Sequence, residues 1–404
     1  MRLQRTIQRP AAVRGLSLIS GLDVVVRFCP APENSGLHFV RVDLSRQPVV
    51  PATLAHRIDC PRRTVLERNG VRVEMTEHVL AALRGLGIDN CRIEISAPET
   101  PGCDGSALQF ARALLDAGSQ LQSAWTEPLV VQHPVCVCDG RSFIAALPNP
   151  HGYMDVDYTL DYRATCPHIG RHRFECHLTV VNFLAEIAPS RTFLLEAEAH
   201  ALRKQGWGQR TTPRDLLIYT DTGPMENVER YPDEPARHKA LDMIGDLALL
   251  GTELVASVVG YRSGHRLNAA LADALLTWHG REAPLRIQEG APLWPAVLSV
   301  LPSASGIGEQ YVLSPSIADH ASIGLGAVVL AAWHRAACAL GRAEQLTLVE
   351  FLDVAIDAIP EPTLPFRTAV AQLGAVAIEI RIVQRGRLLG AVRTRAAEAL
   401  ARAA

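Results

Sequence analysis

Hydrophobic and polar positions change their period several times along the chain, and these changes predict a mixed α and β protein. Residues 24–28 and 91–95 alternate or run apolar as strands do. Residues 76–86 and 106–117 follow the helical period, with Thr76 as the expected N-cap of the first helix. The unit of strands followed by a helix occurs twice before residue 280, which favours two α+β layers.

The same pattern predicts where domains begin and end. A polar stretch at residues 119–127 separates a first layer, 1–122, from a second layer, 123–280. Residues 285–404 are expected to form a separate domain, since a long apolar helix at 325–340 precedes several strand candidates. These strands are predicted at 347–356, 375–383 and around 386–390. One helix followed by antiparallel strands is the outline of a helix wrapped by a sheet.

Composition then limits the classes of function. The chain has 404 residues, of which 48% are hydrophobic and 20% charged. This composition is typical of globular proteins. Forty basic and 42 acidic side chains give a net charge of -2, so no basic field attracts nucleic acid or an anionic membrane. No apolar run of ~18 residues predicts a transmembrane segment, and no signal-peptide pattern opens the chain. The nine cysteines are therefore expected to be reduced thiols of a cytoplasmic protein.

The strongest chemical signal lies in residues 233–247. His238, Asp242 and Asp246 share one face of a predicted helix that Asp233 is expected to cap. An imidazole and a carboxylate four residues apart suit two ligands of a zinc ion. The alternative is a solvated polar face with an ordinary i,i+4 pair.

A second cluster favours the metal interpretation. Glu77 and His78 stand side by side in the first turn of an otherwise apolar helix. A catalytic zinc takes three protein ligands and leaves a position for water, with a carboxylate nearby as base. His78 would complete the ligands and Glu77 would take the proton. Taken alone, His78 is more simply explained as a hydrogen-bonded histidine at a helix start.

A third cluster, residues 262–268, follows a strand candidate at 254–259. If His265 meets Asp246, the carboxylate raises the histidine pKa and keeps an imidazolium ready to protonate a leaving amine. Glu77 and His265 would then be a base and an acid. Residues 166–177 also contain cysteines and histidines, but their spacing is not that of paired zinc knuckles, and we interpret them as structural.

These clusters and the blocks around them resemble the UDP-3-O-acyl-N-acetylglucosamine deacetylase family, the zinc deacetylases of lipid A biosynthesis. The similar blocks occur in family order at residues 4–7, 77–90, 98–107, 191–193, 227–234 and 263–268. Together they extend over roughly residues 2–280. So many blocks in the same order argue against a chance similarity of separate motifs.

The resemblance implies two facing α+β layers with a zinc ion between them and hydrolysis of an N-acetyl group from a UDP-linked acylated glucosamine. It also implies roles for individual side chains: His78, His238 and Asp242 as zinc ligands, Glu77 as general base, Thr192 at the oxyanion, His265 with Asp246 as acid or electrostatic stabiliser, and Lys239 at the polar head of the substrate.

The sequence also departs from the family pattern. Ile19 stands where the family has a histidine, and residues 206–215 lack the Gly-Gly-Ser turn of the insert, near 193–220, that encloses the acyl chain. Trp207 adds a ring there and, with Phe193, is a candidate substrate contact. Two alternatives follow: a zinc amidohydrolase for a different acylated or sugar substrate, and a noncatalytic acyl-substrate binder.

Residues 285–404 resemble the hot-dog fold of acyl-carrier-protein dehydratases and thioesterases, to which some family members are fused. His320 is the candidate catalytic histidine, but the predicted helix that ends near His334 carries no acidic residue. A binding or dimerising domain that has lost catalysis is therefore the expectation, with an oligomer formed through it.

Overall fold

The computed structural model describes residues 1–131, 135–139, 142–147, 149, 151–278, 299–302, 309–313, 379–384 and 387–393. These residues group into two compact units. The first comprises Met1–Leu129, Val156–Leu254 and Gly264–Ala272. The second comprises the described parts of Val130–Asp155, Val255–Ser263 and Asp273–Ala404. The predicted boundaries at 122 and 285 stay predictions.

Strands and two helices make up the N-terminal third. They are β1 (Leu3–Ile7), β2 (Ala11–Leu16), β3 (Asp23–Pro30), β4 (Leu37–Arg41), β5 (Val49–Pro51), β6 (Arg57–Ile58), β7 (Val65–Arg68), β8 (Val71–Glu74), α1 (Glu77–Gly85), β9 (Cys91–Ile95), α2 (Leu108–Ala117) and β10 (Ser119–Trp125).

The rest of the described chain is again mixed. Its elements are β11 (Leu129–Val130), β12 (Val135–Asp139), β13 (Ser142–Leu147), β14 (Met154–Asp161), β15 (Arg171–His177), α3 (Val180–Asn182), β16 (Phe193–Leu195), α4 (Glu196–Lys204), β17 (Leu217–Thr220), β18 (Gly223–Pro224), α5 (Glu234–Leu247), β19 (Leu254–Tyr261), α6 (His265–Trp278), β20 (Ser299–Pro302), β21 (Glu309–Leu313), β22 (Glu379–Gln384) and β23 (Arg387–Arg393).

The first unit is built on a five-stranded sheet in the order β2-β3-β9-β4-β5. Strand β3 runs antiparallel to β2 and β9, whereas β4 runs parallel to β9. The alternation that predicts β3 has its apolar side in the core: Val26 and Phe28 are fully buried, and the Phe28 ring meets Phe110 of α2 edge-on at 6.3 Å. Smaller sheets, β6-β7-β8 and β16-β17-β18, carry loops of the site described below.

The second unit contains the antiparallel ladder β12-β13-β19. It also contains a four-stranded sheet, β20-β21-β22-β23. Strand β22 overlaps the strand predicted at 375–383, and β23 overlaps the one around 386–390. The helix predicted at 325–340 and the strand at 347–356 lie outside the described residues, and the hot-dog fold stays a prediction.

The polar stretch at 119–127 contains a strand, β10, which pairs antiparallel with β1. Two local expectations need correction. Thr76 does not cap α1 through its side chain, because its backbone is already helical and its hydroxyl donates to the Thr64 carbonyl at 3.3 Å. Asp233 does not cap α5 either, since its carboxylate accepts from Arg237 Nε at 2.6 Å. Across the described residues, no helix is both long and apolar enough to cross a membrane.

Candidate active site

Helices α1 and α5 lie in close contact, and this contact brings the first two predicted clusters together. A Cβ atom at Gly245 would lie 2.1 Å from the carbonyl oxygen of Glu77, so only glycine allows the start of α1 this close to α5. Both helices are buried almost all round. His78 of α1 therefore faces His238 and Asp242 of α5 in the interior, which rules out the solvated polar face considered from the sequence.

Three predicted metal ligands converge at this contact. Potential ligand atoms of His78, His238 and Asp242 all lie within 4.8 Å of one another, and each residue is buried. Asp242 Oδ1 is 3.8 Å from His78 Nε2 and 3.3 Å from His238 Nε2. Among the residues that the structure describes, no other three histidines, cysteines or carboxylates form such a group.

The donor set fits a zinc ion in its chemistry as well as its spacing. The Ser190 carbonyl lies 3.0 Å from His238 Nδ1, which places the ring proton there and leaves Nε2 free to act as a ligand. Burial is the largest cause that lowers the pKa of His78 to about 3, so its imidazole is neutral. Two imidazoles and one carboxylate are a usual zinc ligand set with room for substrate.

Glu77 lies next to these ligands without belonging to their group. It is buried, and its Oε2 accepts a hydrogen bond from the backbone N–H of Thr64 at 3.0 Å. Burial raises the pKa of Glu77 to about 7, and the charges of Asp242 and Asp246 act in the same direction against that of His265. A carboxylate with a pKa near neutrality is well matched to general-base catalysis.

The predicted contact between His265 and Asp246 is confirmed. His265 Nδ1 lies 2.9 Å from Asp246 Oδ2, which also accepts from the Asn268 amide at 2.8 Å. Burial alone would lower the pKa of His265, but Asp246, Asp242 and Glu77 outweigh it and raise the pKa to about 9. His265 is therefore a cation at neutral pH, and its Nε2 lies 3.9 Å from Asp242 Oδ2.

Lys239 lies at the edge of the same cluster. Its ammonium donates to Asp242 Oδ2 at 2.8 Å and stands 5.9 Å from the centre of the Phe193 ring. Burial disfavours the charge on Lys239, but Asp242, Tyr158 and Tyr162 together outweigh burial and raise the lysine pKa above its ordinary value. Lys239 thus combines a fixed positive charge with an adjacent aromatic face.

Thr192 belongs to the segment that positions the start of α5. The neighbouring Arg191 forms a buried ion pair with Glu234, the first residue of α5, at 2.7 Å and 2.9 Å. The Thr192 backbone N–H donates to the Gly105 carbonyl at 2.7 Å, and its carbonyl accepts from Leu217 at 2.9 Å. These bonds fix the backbone at Thr192, and the role of its hydroxyl stays a prediction.

Trp207 stacks on an arginine at the side of an apolar cluster. The indole is 37% exposed, and its centre lies 5.2 Å from Arg63 Cζ. The turn that carries it is anchored by a bond from the Gly208 N–H to the Ile19 carbonyl at 2.8 Å. The apolar cluster consists of Leu18, Met75, Leu216 and Ile218, with Ile19, Leu194, Ala199 and Met225 packed against it.

Sequence reasoning missed several residues of the site. Asn268 ends the third predicted cluster, but the sequence predicts no role for it, although it lies one helical turn after His265 and so shares its face. Thr64 and Ser190 have no signal in the sequence, because a single threonine and a backbone carbonyl belong to no chemical motif. Cys166, in the segment set aside as structural, is buried, with its thiol 4.0 Å from the Thr220 carbonyl.

Comparisons with known proteins agree with this geometry. A sequence model of the LpxC family, UDP-3-O-acyl N-acetylglycosamine deacetylase, matches residues 4–277. The UDP-3-O-acyl-N-acetylglucosamine deacetylase of Thermosynechococcus vestitus is 38% identical over 272 residues, 67% of this chain and 93% of the relative. That of an Anaeromyxobacter species is 38% identical over 290 residues, covering 71% and 93%.

A third relative is longer. The bifunctional enzyme LpxC/FabZ of Chlorobaculum tepidum is 34% identical over 305 residues, 69% of this chain and 65% of that enzyme. The family match covers more than half of the chain and includes every residue of the site described above. The chain therefore belongs to the LpxC family of UDP-3-O-acyl N-acetylglycosamine deacetylases.

Proposed function

We propose that this deacetylase removes the N-acetyl group of a UDP-3-O-acyl-N-acetylglucosamine with a zinc ion held by His78, His238 and Asp242. The observation that carries the proposal is the convergence of three ligand atoms within 4.8 Å beside a buried carboxylate, Glu77, and a buried imidazolium, His265. A noncatalytic acyl binder has no use for this arrangement, since three buried polar ligands are costly to keep.

The chemistry divides between the two ionisable groups. Zinc in such a site, when bound, polarises the acetyl carbonyl and acidifies a water molecule. Glu77 accepts a proton from the water while the water oxygen attacks the carbonyl carbon. The Glu77 pKa of about 7 suits this proton transfer. The C–N bond then breaks, acetate leaves, and the sugar amine takes a proton.

His265 is the proposed source of that proton. Its Nδ1 is engaged by Asp246, so the Nε2–H is the one that can be donated. The same positive charge stabilises the oxyanion that forms before the bond breaks. Thr192, whose backbone is fixed beside the start of α5, is proposed to assist at the oxyanion.

Other side chains are proposed to bind the two ends of the substrate. Lys239 carries a fixed positive charge at the edge of the site and is proposed to bind the polar head of the UDP-sugar. Phe193 and Trp207 are proposed to contact the acyl chain. The Phe193 ring stands next to Lys239, and the turn after Trp207 is bonded to Ile19, which packs against the apolar cluster. The cytoplasmic location expected from the sequence would place the enzyme where such nucleotide sugars are handled.

A second candidate substrate class rests on one specific observation. Ile19, where the family has histidine, packs its apolar side chain against the cluster of Leu18 and Met75. A sugar with a different acyl group would suit a more apolar surface at this point. We propose that residues 285–404 form a hot-dog domain that has lost catalysis and serves binding or dimerisation, as their resemblance to acyl-carrier-protein dehydratases and thioesterases suggests.

The test combines metal analysis with acetate release. We expect about one zinc ion per chain in the catalytic site and acetate release from UDP-3-O-acyl-N-acetylglucosamine. A panel that varies the acyl group distinguishes the two substrate classes. A zinc-loaded chain that releases no acetate from any member of the panel would refute the proposed function.

A further inference from the structure

A buried threonine connects the groups proposed to move protons. Thr64 is fully buried just before β7. Its backbone N–H donates to Glu77 Oε2 at 3.0 Å, and its hydroxyl donates to Asp246 Oδ1 and lies 3.3 Å from His265 Nδ1. Glu77, Asp246 and His265 belong to three different helices, α1, α5 and α6. Thr64 therefore contacts both the proposed base and the proposed acid pair.

The Thr64 hydroxyl donates to one of the two oxygens of the Asp246 carboxylate. Asp246 Oδ2 already accepts from His265 Nδ1 at 2.9 Å and from Asn268 Nδ2 at 2.8 Å. Oδ1 accepts from the Thr64 hydroxyl, so each carboxylate oxygen has its own donor. Without that hydroxyl a buried Oδ1 would lose its donor, and the carboxylate would gain by rotating to share its other partners.

We propose that Thr64 is a positioning residue: its hydroxyl fixes the rotation of the Asp246 carboxylate and, through it, the direction of His265 Nε2. The inference deepens the proposed function and rests on it, because it concerns proton delivery to the leaving amine. The Thr64 backbone N–H meanwhile holds Glu77 on the other side of the site. One short segment thus sets the spacing between base and acid.

Packing alone does not require the hydroxyl. Valine has almost the shape of threonine, so Thr64→Val leaves the backbone bond to Glu77 and removes the donor to Asp246 together with the hydroxyl contact to His265 Nδ1. Thr6 offers a matched control, since it is also buried and its hydroxyl accepts from the Ala31 N–H at 3.0 Å, in β1 and away from the site. Thr6→Val loses a buried hydrogen bond without touching the proposed base or acid.

The experiment is a double-mutant cycle on acetate release by the full chain. Loss of a residue that orients a catalytic group costs about 10–100-fold, so we expect Thr64→Val to lower kcat by that factor with KM within about threefold of wild type. In a His265→Gln background the same change should cost less than about threefold, because residues that act as a unit are not additive. Thr64→Ser should restore most of the activity, and Thr6→Val should keep it.

Each other outcome counts against the proposal. An equal loss from Thr64→Val in both backgrounds would show that the hydroxyl does not act through His265, and a variant within threefold of wild type would show no role. If Thr64→Val does not fold, Thr64→Ser and Thr64→Ala replace it, since these differ from each other only in the hydroxyl. Wild-type protein that releases no acetate refutes the proposed function and the inference together, whereas additive losses in an active enzyme refute the inference alone.

Discussion

Gly245 lies directly against Glu77, so that a Cβ atom at position 245 would come within 2.1 Å of the Glu77 carbonyl oxygen. Gly245 stands on α5 between Asp242 and Asp246, whereas Glu77 begins α1. The contact sets the distance between the proposed base and the metal ligands of α5. The site therefore requires the absence of a side chain at position 245 as well as the polar groups around it.

Gly245→Ala is predicted to disturb the site as well as the fold. Overpacking a buried contact costs about 1–3 kcal/mol, and the backbone of Glu77 cannot move aside as a flexible side chain can. We expect a lower Tm and at least a tenfold lower kcat in the folded protein. Gly85→Ala is the matched control, because its Cβ would overlap with the side-chain ring of Phe183, at 2.3 Å, near the other end of α1. Equal kcat losses in the two variants would contradict this prediction.

The metal ligands are predicted to act together. His238→Ala or Asp242→Ala removes one of three ligand atoms that lie within 4.8 Å, so retained zinc and acetate release should fall in parallel. Equilibrium dialysis measures zinc affinity, and the activity assay uses the same preparations. His200→Ala, at an exposed histidine on α4, serves as the control for loss of an imidazole elsewhere. Unchanged zinc affinity in both ligand variants would mean that the site is misassigned.

Glu77→Gln separates the base from the ligands. The amide keeps the size of the side chain and can still accept from the Thr64 N–H, but it cannot take a proton. Zinc content should stay at the wild-type level while kcat falls by roughly 10²–10⁴-fold, the usual contribution of general-base assistance. Turnover within threefold of the wild type would refute the assignment.

His265 is predicted to control the basic side of the pH profile. Asp242 and Asp246 of α5 and Glu77 of α1 surround the imidazole and raise its pKa to about 9. A raised pKa means that the proton is present below pH 9 and is lost above it, so kcat should fall as the pH rises through about 9. In His265→Gln we expect a much lower kcat and no basic limb, with zinc content unchanged. A basic limb that persists in the variant would assign it to another group.

Trp207 is predicted to limit the length of the acyl chain. The indole stands against Arg63, on a turn whose Gly208 N–H is bonded to the Ile19 carbonyl. Each methylene that a substrate buries in an apolar passage is worth ~0.8 kcal/mol, or roughly fourfold in affinity. Trp207→Ala should shift kcat/KM toward longer acyl chains on a ladder of substrates. Trp125→Ala, an exposed tryptophan on β10, should leave the profile as it is. Parallel profiles for wild type and Trp207→Ala would mean that the indole only packs.

A single sequence is enough to predict which side chains of one helix lie on the same face. His238, Asp242 and Asp246 share a stripe because the helical period fixes their directions, and the adjacency of Glu77 and His78 is a covalent fact. The strands β3 and β9 follow from their alternation, since one face of each lies in the core. Such features depend only on local backbone geometry, so the sequence of the segment is enough to predict them.

Tertiary structure decided how those local features meet. The approach of α1 to α5 depends on Gly245, and the orientation of Asp246 depends on Thr64, 182 residues away in the chain. The Thr76 hydroxyl found a partner in the Thr64 carbonyl of a neighbouring segment instead of the helix end that local pattern predicts for it. Contacts between distant segments arise from burial and packing of the whole unit, and a single sequence has no periodic signal for such contacts.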